Sequence, residues 1–162
     1  MYPIKLGYSE AIRRIKSLIR NGHYAEALVT SVFTVEKTLR RTLRQLIVSA
    51  GFISRHADKI VKKFSGLESI KDNWELYDPE HRKLTTILNQ KDWQIIFDAY
   101  KKRNDLVHGN RVYNLELCHK LSKQVLDSLD NIKKTLDDNY RYSGWTRGKM
   151  RRKSKLHQDS KK

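Results

Sequence analysis

Apolar residues along this chain recur in steps of three and four rather than two, which is the spacing of a single helix face. Ile12, Ile15 and Ile19 mark a first helix over Ser9–Arg20, with Ser9 as its N-cap and Asn21-Gly22 as its stop. Leu28, Val32, Val35, Leu39, Leu43, Leu46 and Ala50 mark a longer one from His23 to Ala50, and Gly51 supplies a left-handed end. Residues 52–90 are less regular. Short helices are expected at 54–64 and 67–76, and another from Pro79 with Asp78 as its cap, while Trp74, Leu76 and Tyr77 would pin the segment to the core. A further long helix is predicted over Asp92–Val107 on Trp93, Ile96, Phe97, Tyr100 and Val107. The last, Leu115–Leu136, carries a heptad-like seam of Leu115, Cys118, Leu121, Val125, Leu129, Ile132 and Leu136.

Short loops between helices of this kind favour antiparallel packing. The pattern therefore predicts an all-α fold, an up-down helical bundle over residues 1–138 with 52–90 as a helical insertion. The length of 162 residues suits one domain with a proper core, and seven Gly and two Pro leave little turn-forming material for an all-β alternative.

Charge adds a functional clue. Lys and Arg number 34 against 18 acids, a net +16. Such a surplus repels itself, so its use is attraction to a polyanion through release of condensed counterions. Nucleic acid is the first such partner, an anionic membrane surface the second, and plain solubility the bland alternative. Residues 139–162 hold nine Lys or Arg and one Asp, half of the net charge, with almost no apolar periodicity. A flexible basic C-terminal arm is expected there. Its aromatics Tyr140, Tyr142 and Trp145 would stack on unpaired bases while Arg141, Arg147, Lys149, Arg151, Arg152 and Lys153 track the phosphates, or else the aromatics tack the arm onto the bundle. The lone Cys118 excludes an internal disulfide and a cysteine-rich zinc site. No apolar run is long enough for a signal peptide or a membrane span, so a cytoplasmic protein is expected. His23, His56, His81 and His119 show no metal-ligand spacing, and no phosphate-cradling Gly-rich loop is present; neither a metal nor a cofactor is expected.

The stretch KKRNDLVHGN, residues 101–110, breaks the apolar stripe of its helix. Extrapolated by helical steps, that stripe reaches Asn104 and then Val107 or His108, so polar groups fall where the core or a partner is expected. Leaving such groups buried without hydrogen bonds costs about 1–3 kcal/mol each. Asn104 and His108 are four apart, so the Asn amide can hold one imidazole nitrogen. Arg103 and His108 are five apart, about 140° around the helix, so one copy aims them in different directions. Two copies across a two-fold axis would gather both pairs around one cleft.

Arg103-Asn104-Asp105-Leu106-Val107-His108 resembles the Arg-x4-6-His motif of the HEPN domains, including the polar residue after the Arg and the Gly after the His. Together with the helix layout, the resemblance covers roughly residues 8–138. It implies a metal-independent endoribonuclease, a homodimer with a composite active site, and a role as a toxin or antiviral defence effector with an antitoxin or defence-system partner protein. In some members a nucleotidyltransferase antitoxin modifies a Tyr two residues after the His; here that position is Asn110, and the nearest Tyr is Tyr113. The tail holds a second formal match, Arg151 or Arg152 to His157, without a helix, an apolar stripe or an adjacent Asn.

The residues suit the chemistry. RNA carries its own nucleophile, the 2′-OH, and cleavage then needs a base, an acid and a cation. An imidazole titrates near neutrality, so His108 can accept the 2′-OH proton or protonate the leaving 5′-oxygen. Arg103 can hold the non-bridging phosphate oxygens, and Asn104 can orient the His or the phosphate. The bland alternative is a polar helix C-terminus, where Arg and His suit the negative end of the helix dipole. Glu36 and Asp105 are supporting candidates. Glu36, beside the stripe of the second helix, either pairs with Arg103 or stays solvated, the usual fate of a Glu. A non-catalytic helical RNA-binding or adaptor protein is the rival to the nuclease.

Overall fold

In the computed structural model, which describes residues 7–109 and 114–145, every regular element is a helix. There are seven: α1 (Tyr8–Arg20), α2 (Tyr24–Ser49), α3 (Ser54–Lys62), α4 (Gly66–Tyr77), α5 (Leu84–Ile87), α6 (Gln90–Val107) and α7 (Leu115–Tyr140). The fold is all-α, as the periodicity predicts. No helix among the described residues is long and apolar enough to cross a membrane. The arm from Thr146 on, with Arg147, Lys149, Arg151, Arg152 and Lys153, lies outside the described residues.

The chain divides into two compact units, one of residues up to Val35 with Lys91–Asn131, the other of Glu36–Gln90 with residues from Ile132 on. In the first, the buried apolar residues are Ala11 and Ile15 of α1, Ala27, Leu28, Val32 and Val35 of α2, Ile96 and Ala99 of α6, and Cys118, Leu121, Val125, Leu126 and Leu129 of α7. Tyr8 donates its hydroxyl to Asp130, and Tyr24 stacks on His119 with ring centroids 4.3 Å apart. In the second, Leu39, Leu43, Leu46 and Ile47 of α2 are buried, as are Ala57, Val61, Leu67, Ile70 and Trp74 of α3 and α4, and Ile132 and Leu136 of α7. Residues 52–90 therefore share the core of the second unit with the later part of α2 and the end of α7. Two of the hydroxyls buried along α2 bond to the preceding turn: Ser31 donates to the Leu28 carbonyl at 2.9 Å and Thr42 to that of Thr38 at 2.8 Å.

Several local expectations are corrected. Gly7, not Ser9, occupies the N-cap of α1, its carbonyl accepting from Ala11 at 3.0 Å. Ala50 at the end of the α2 stripe is exposed, because Gly51 (φ 115°) ends the helix there. No helix starts at Pro79. His81 takes a left-handed conformation (φ 53°), and the Asp78 carboxylate accepts the backbone N–H groups of Glu80 and Arg82, both at 3.0 Å, closing a turn instead. Trp74 is fully buried, whereas Leu76 is 61% exposed and anchors nothing in its own unit. Leu115, at the first turn of α7, is also exposed; Asn114 caps that turn by accepting the Leu117 N–H at 3.1 Å.

At its far end α7 runs one turn beyond the predicted Leu136. Tyr140 is 6% exposed, accepts the indole N–H of Trp74 at 3.0 Å and donates to the buried carboxylate of Asp78. It is a core residue, not a free ring for base stacking. Chain packing also continues past the expected boundary at residue 138: Ser143 and Gly144 are buried, and the Trp145 indole N–H donates to the Thr38 hydroxyl at 2.7 Å.

Candidate active site

The motif lies at the C-terminal end of α6, and the packing of that helix sets the exposure of each member. Asp92, Ile96 and Ala99 occupy its buried face, while Trp93, Phe97 and Tyr100 are half-buried beside it. The three rings form a ladder, with centroids 5.9 and 6.4 Å apart. Val107, expected in the apolar stripe, is 57% exposed. The stripe is thus rotated from its predicted position, and the large aromatics flank the core rather than fill it.

Arg103 is half-buried, and its guanidinium lies over the Tyr100 ring, 5.3 Å from the centroid. That contact pre-orients a planar cation at modest cost in side-chain freedom. Asn104 and Asp105 are half-buried as well, and Lys102 pairs with Asp98 at 3.0 Å. His108 is exposed, in the turn just beyond the helix. Its backbone N–H donates to the Asn104 carbonyl at 3.0 Å, so Asn104 and His108 are joined through the main chain. The expected imidazole on the core-facing stripe is not found. Gly109 adopts φ 68° and donates its N–H to Leu106 at 3.3 Å, which ends the helix and carries the imidazole out of helical register.

Beside the motif, Leu106 lines an open cleft of about 480 Å³ with Arg14, Leu18, Ala25, Glu26, Val29 and Thr30. This volume falls in the range that accommodates small organic ligands. Cys118 is buried and its thiol is pushed up by desolvation, which makes it a packing residue rather than a nucleophile. No cluster of three or more His, Cys, Asp or Glu side chains suited to a metal ion occurs among the described residues. Glu36 is half-buried on α2 and opens the second compact unit.

A grouping that periodicity did not reveal lies in that second unit. Lys37 and Arg41, one turn apart on α2, both sit over the Trp145 ring, at 5.5 and 4.9 Å from its centroid. Arg41 also donates to the Gly144 carbonyl at 3.3 Å. Tyr142 is half-buried and Arg141 exposed, the latter in a left-handed conformation (φ 54°) that turns the chain after α7. The i, i+4 spacing of the two cations is visible in the sequence, but their aromatic partner is more than 100 positions away.

Compared with protein-family models, with curated proteins and with solved structures, the chain shows no match to any.

Proposed function

We propose that this protein is an endoribonuclease of the HEPN type, in which two copies join their 103–108 segments into one RNA-cleaving cleft. The observation that supports this most is the context of the motif. Arg103 is held on Tyr100 at the last turn of α6, and His108 stands exposed immediately after that helix, at a glycine stop. Because the Arg is drawn toward the protein and the His turned to solvent, a second copy is the simplest source of the complementary group. The chemistry is an in-line transfer. One imidazole takes the 2′-OH proton as that oxygen bonds to phosphorus, the P–O5′ bond breaks, and the other imidazole, protonated, gives its proton to the departing oxygen. The guanidinium balances charge on the non-bridging oxygens, through hydrogen bonds that strengthen as that charge develops. The 480 Å³ cleft beside Leu106 would take a nucleotide flanking the cut.

The excess of Lys and Arg supports RNA as the partner. A toxin or defence role, with an antitoxin or defence-system protein as partner, follows from the family resemblance alone. The Arg103–Tyr100 contact also suits a second reading, a non-catalytic RNA-binding protein or adaptor whose Arg is structural. His108→Ala separates the two. The nuclease loses RNA cleavage in this variant while binding stays within a few-fold; cleavage retained by the purified variant rejects the catalytic assignment.

A further inference from the structure

Two cations share one aromatic ring in the second unit, and that arrangement needs a reason. Lys37 and Arg41 both stand over Trp145, and among the described residues neither forms an ion pair with a carboxylate. Like charges one helical turn apart repel, and more strongly where water is excluded. Partial burial, and then the Arg41 charge, hold the Lys37 ammonium below the usual lysine range. Anchoring the segment after α7 would require only one cation against the ring.

The platform beneath them is built rather than incidental. Trp145 is fixed by its hydrogen bond to Thr38, and Arg41 by its bond to the Gly144 carbonyl. Gly144 has φ 82°, and a Cβ there would meet the Arg41 Cβ at 2.8 Å and the Thr38 carbonyl at 3.0 Å. The charges nearby in the chain are mostly positive. Residues 36–64 hold eight Lys or Arg against two acids, Glu36 and Asp58. Asp58 is already paired with Arg44, and Arg40 is spent on the carbonyls of Val61 and Phe64, both at 2.9 Å, tying α3 to α2.

We propose that Lys37 and Arg41, set by Trp145, form a phosphate-gripping station for the RNA backbone, built from residues other than those of the Arg103–His108 motif. A phosphodiester between the two cations relieves their repulsion and releases the counterions each holds when free. The proposal rests on RNA being the ligand of this protein, and its test reads binding rather than cleavage.

The experiment measures binding of a fluorescein-labelled 20-nucleotide single-stranded RNA by anisotropy across a KCl series. It uses the full chain carrying His108→Ala so that the probe stays whole. Adding Lys37→Gln and Arg41→Gln should lower the slope of log K against log[KCl] by about 0.7, the value for the one single-strand phosphate held between them. Exchanging the pair, Lys37→Arg with Arg41→Lys, should preserve the slope. Lys120→Gln with Lys123→Gln on α7 removes the same charge from the first unit and should also leave it in place. An unchanged slope in the first variant, or an equal fall in the α7 control, overturns the station. So does a defect confined to phosphatidylserine vesicles, which would assign the pair to a membrane surface. An unchanged slope in the Lys37 and Arg41 variant, while the parent chain with His108 cleaves RNA, rejects the station alone, whereas no RNA binding at any salt rejects the ribonuclease reading itself. Circular dichroism confirms that the variants are folded.

Discussion

The indole N–H of Trp145 donates to the hydroxyl of Thr38 at 2.7 Å, although 107 positions separate the two residues in the chain. This bond returns the segment after α7 to the middle of α2. It makes residues 141–145 part of the second compact unit.

Gly144 is the residue that permits this return. Its left-handed backbone and the closeness of Arg41 and Thr38 leave no place for a side chain. Gly144→Ala is expected to destabilise the docked segment by about 1–3 kcal/mol, the usual cost of a non-glycine residue in a strained backbone region. Proteolysis after Arg141 should accelerate accordingly. A cleavage rate equal to the parent's would show that the close approach is not maintained in solution.

Tyr140 is the second point where the end of α7 is held. Its hydroxyl serves both the Trp74 indole and the Asp78 carboxylate. Tyr140→Phe leaves the buried Trp74 indole N–H without its acceptor, at about 1–3 kcal/mol, and removes one of several donors to Asp78. Urea unfolding should show a lower midpoint with an unchanged m-value, and no shift would contradict the network.

Acid should loosen the same region. Burial alone would raise the Asp78 pKa, but hydrogen bonds from Arg82, Tyr140 and the backbone N–H groups of Arg82 and Glu80 outweigh it, so the pKa is lowered. A depressed folded-state value means that the unfolded chain takes up the proton first as pH falls. The stability from this group is therefore present above the ordinary aspartate value of 3.8 and lost below it, as pH falls through the folded-state value. Asp78→Asn should be less stable at neutral pH and should lack that part of the acid dependence. Parallel stability-against-pH curves for the two proteins between pH 2 and 6 would refute the assignment.

Arg103 invites a charge-preserving substitution. A lysine keeps the positive charge but loses the planar fork that matches two phosphate oxygens. If the guanidinium stabilises the transition state, Arg103→Lys should slow RNA cleavage by about 10²–10³-fold, as removal of a comparable oxyanion donor does. RNA affinity should change by only a few-fold. Equal losses in binding and cleavage would instead make it a general binding residue.

Much of the fold was legible because the core of each long helix is aliphatic and regularly spaced. Leu28, Val32, Leu39 and Leu43 announce their burial by position alone. The turn at Asp78–Arg82 was not legible, because a cap followed by Pro reads the same whether the chain continues as a helix or bends at a left-handed His81. Trp93, Phe97 and Tyr100 misled for a related reason: large apolar rings suggest the core face, yet the small Ala99 and Ile96 occupy it. In the candidate site, the positions of Arg103 and His108 could be read from the sequence. The outward turn of His108 could not, since it depends on the residue at which the helix stops. Tyr140 reads as part of a basic tail because charge changes at Asn139, whereas hydrogen bonding and burial carry the fold past that point.

The most direct test of the catalytic account is the chemistry of the ends it leaves. A labelled RNA is incubated with the purified protein in excess EDTA, beside the same strand carrying a single 2′-deoxy sugar at the cut position. The expected result is a 2′,3′-cyclic phosphate and a 5′-hydroxyl from the first strand, no cleavage at that position in the second, and neither product from His108→Ala. Cleavage at the deoxy position, or products ending in a 3′-hydroxyl, would contradict attack by the ribose and with it the roles given to Arg103 and His108.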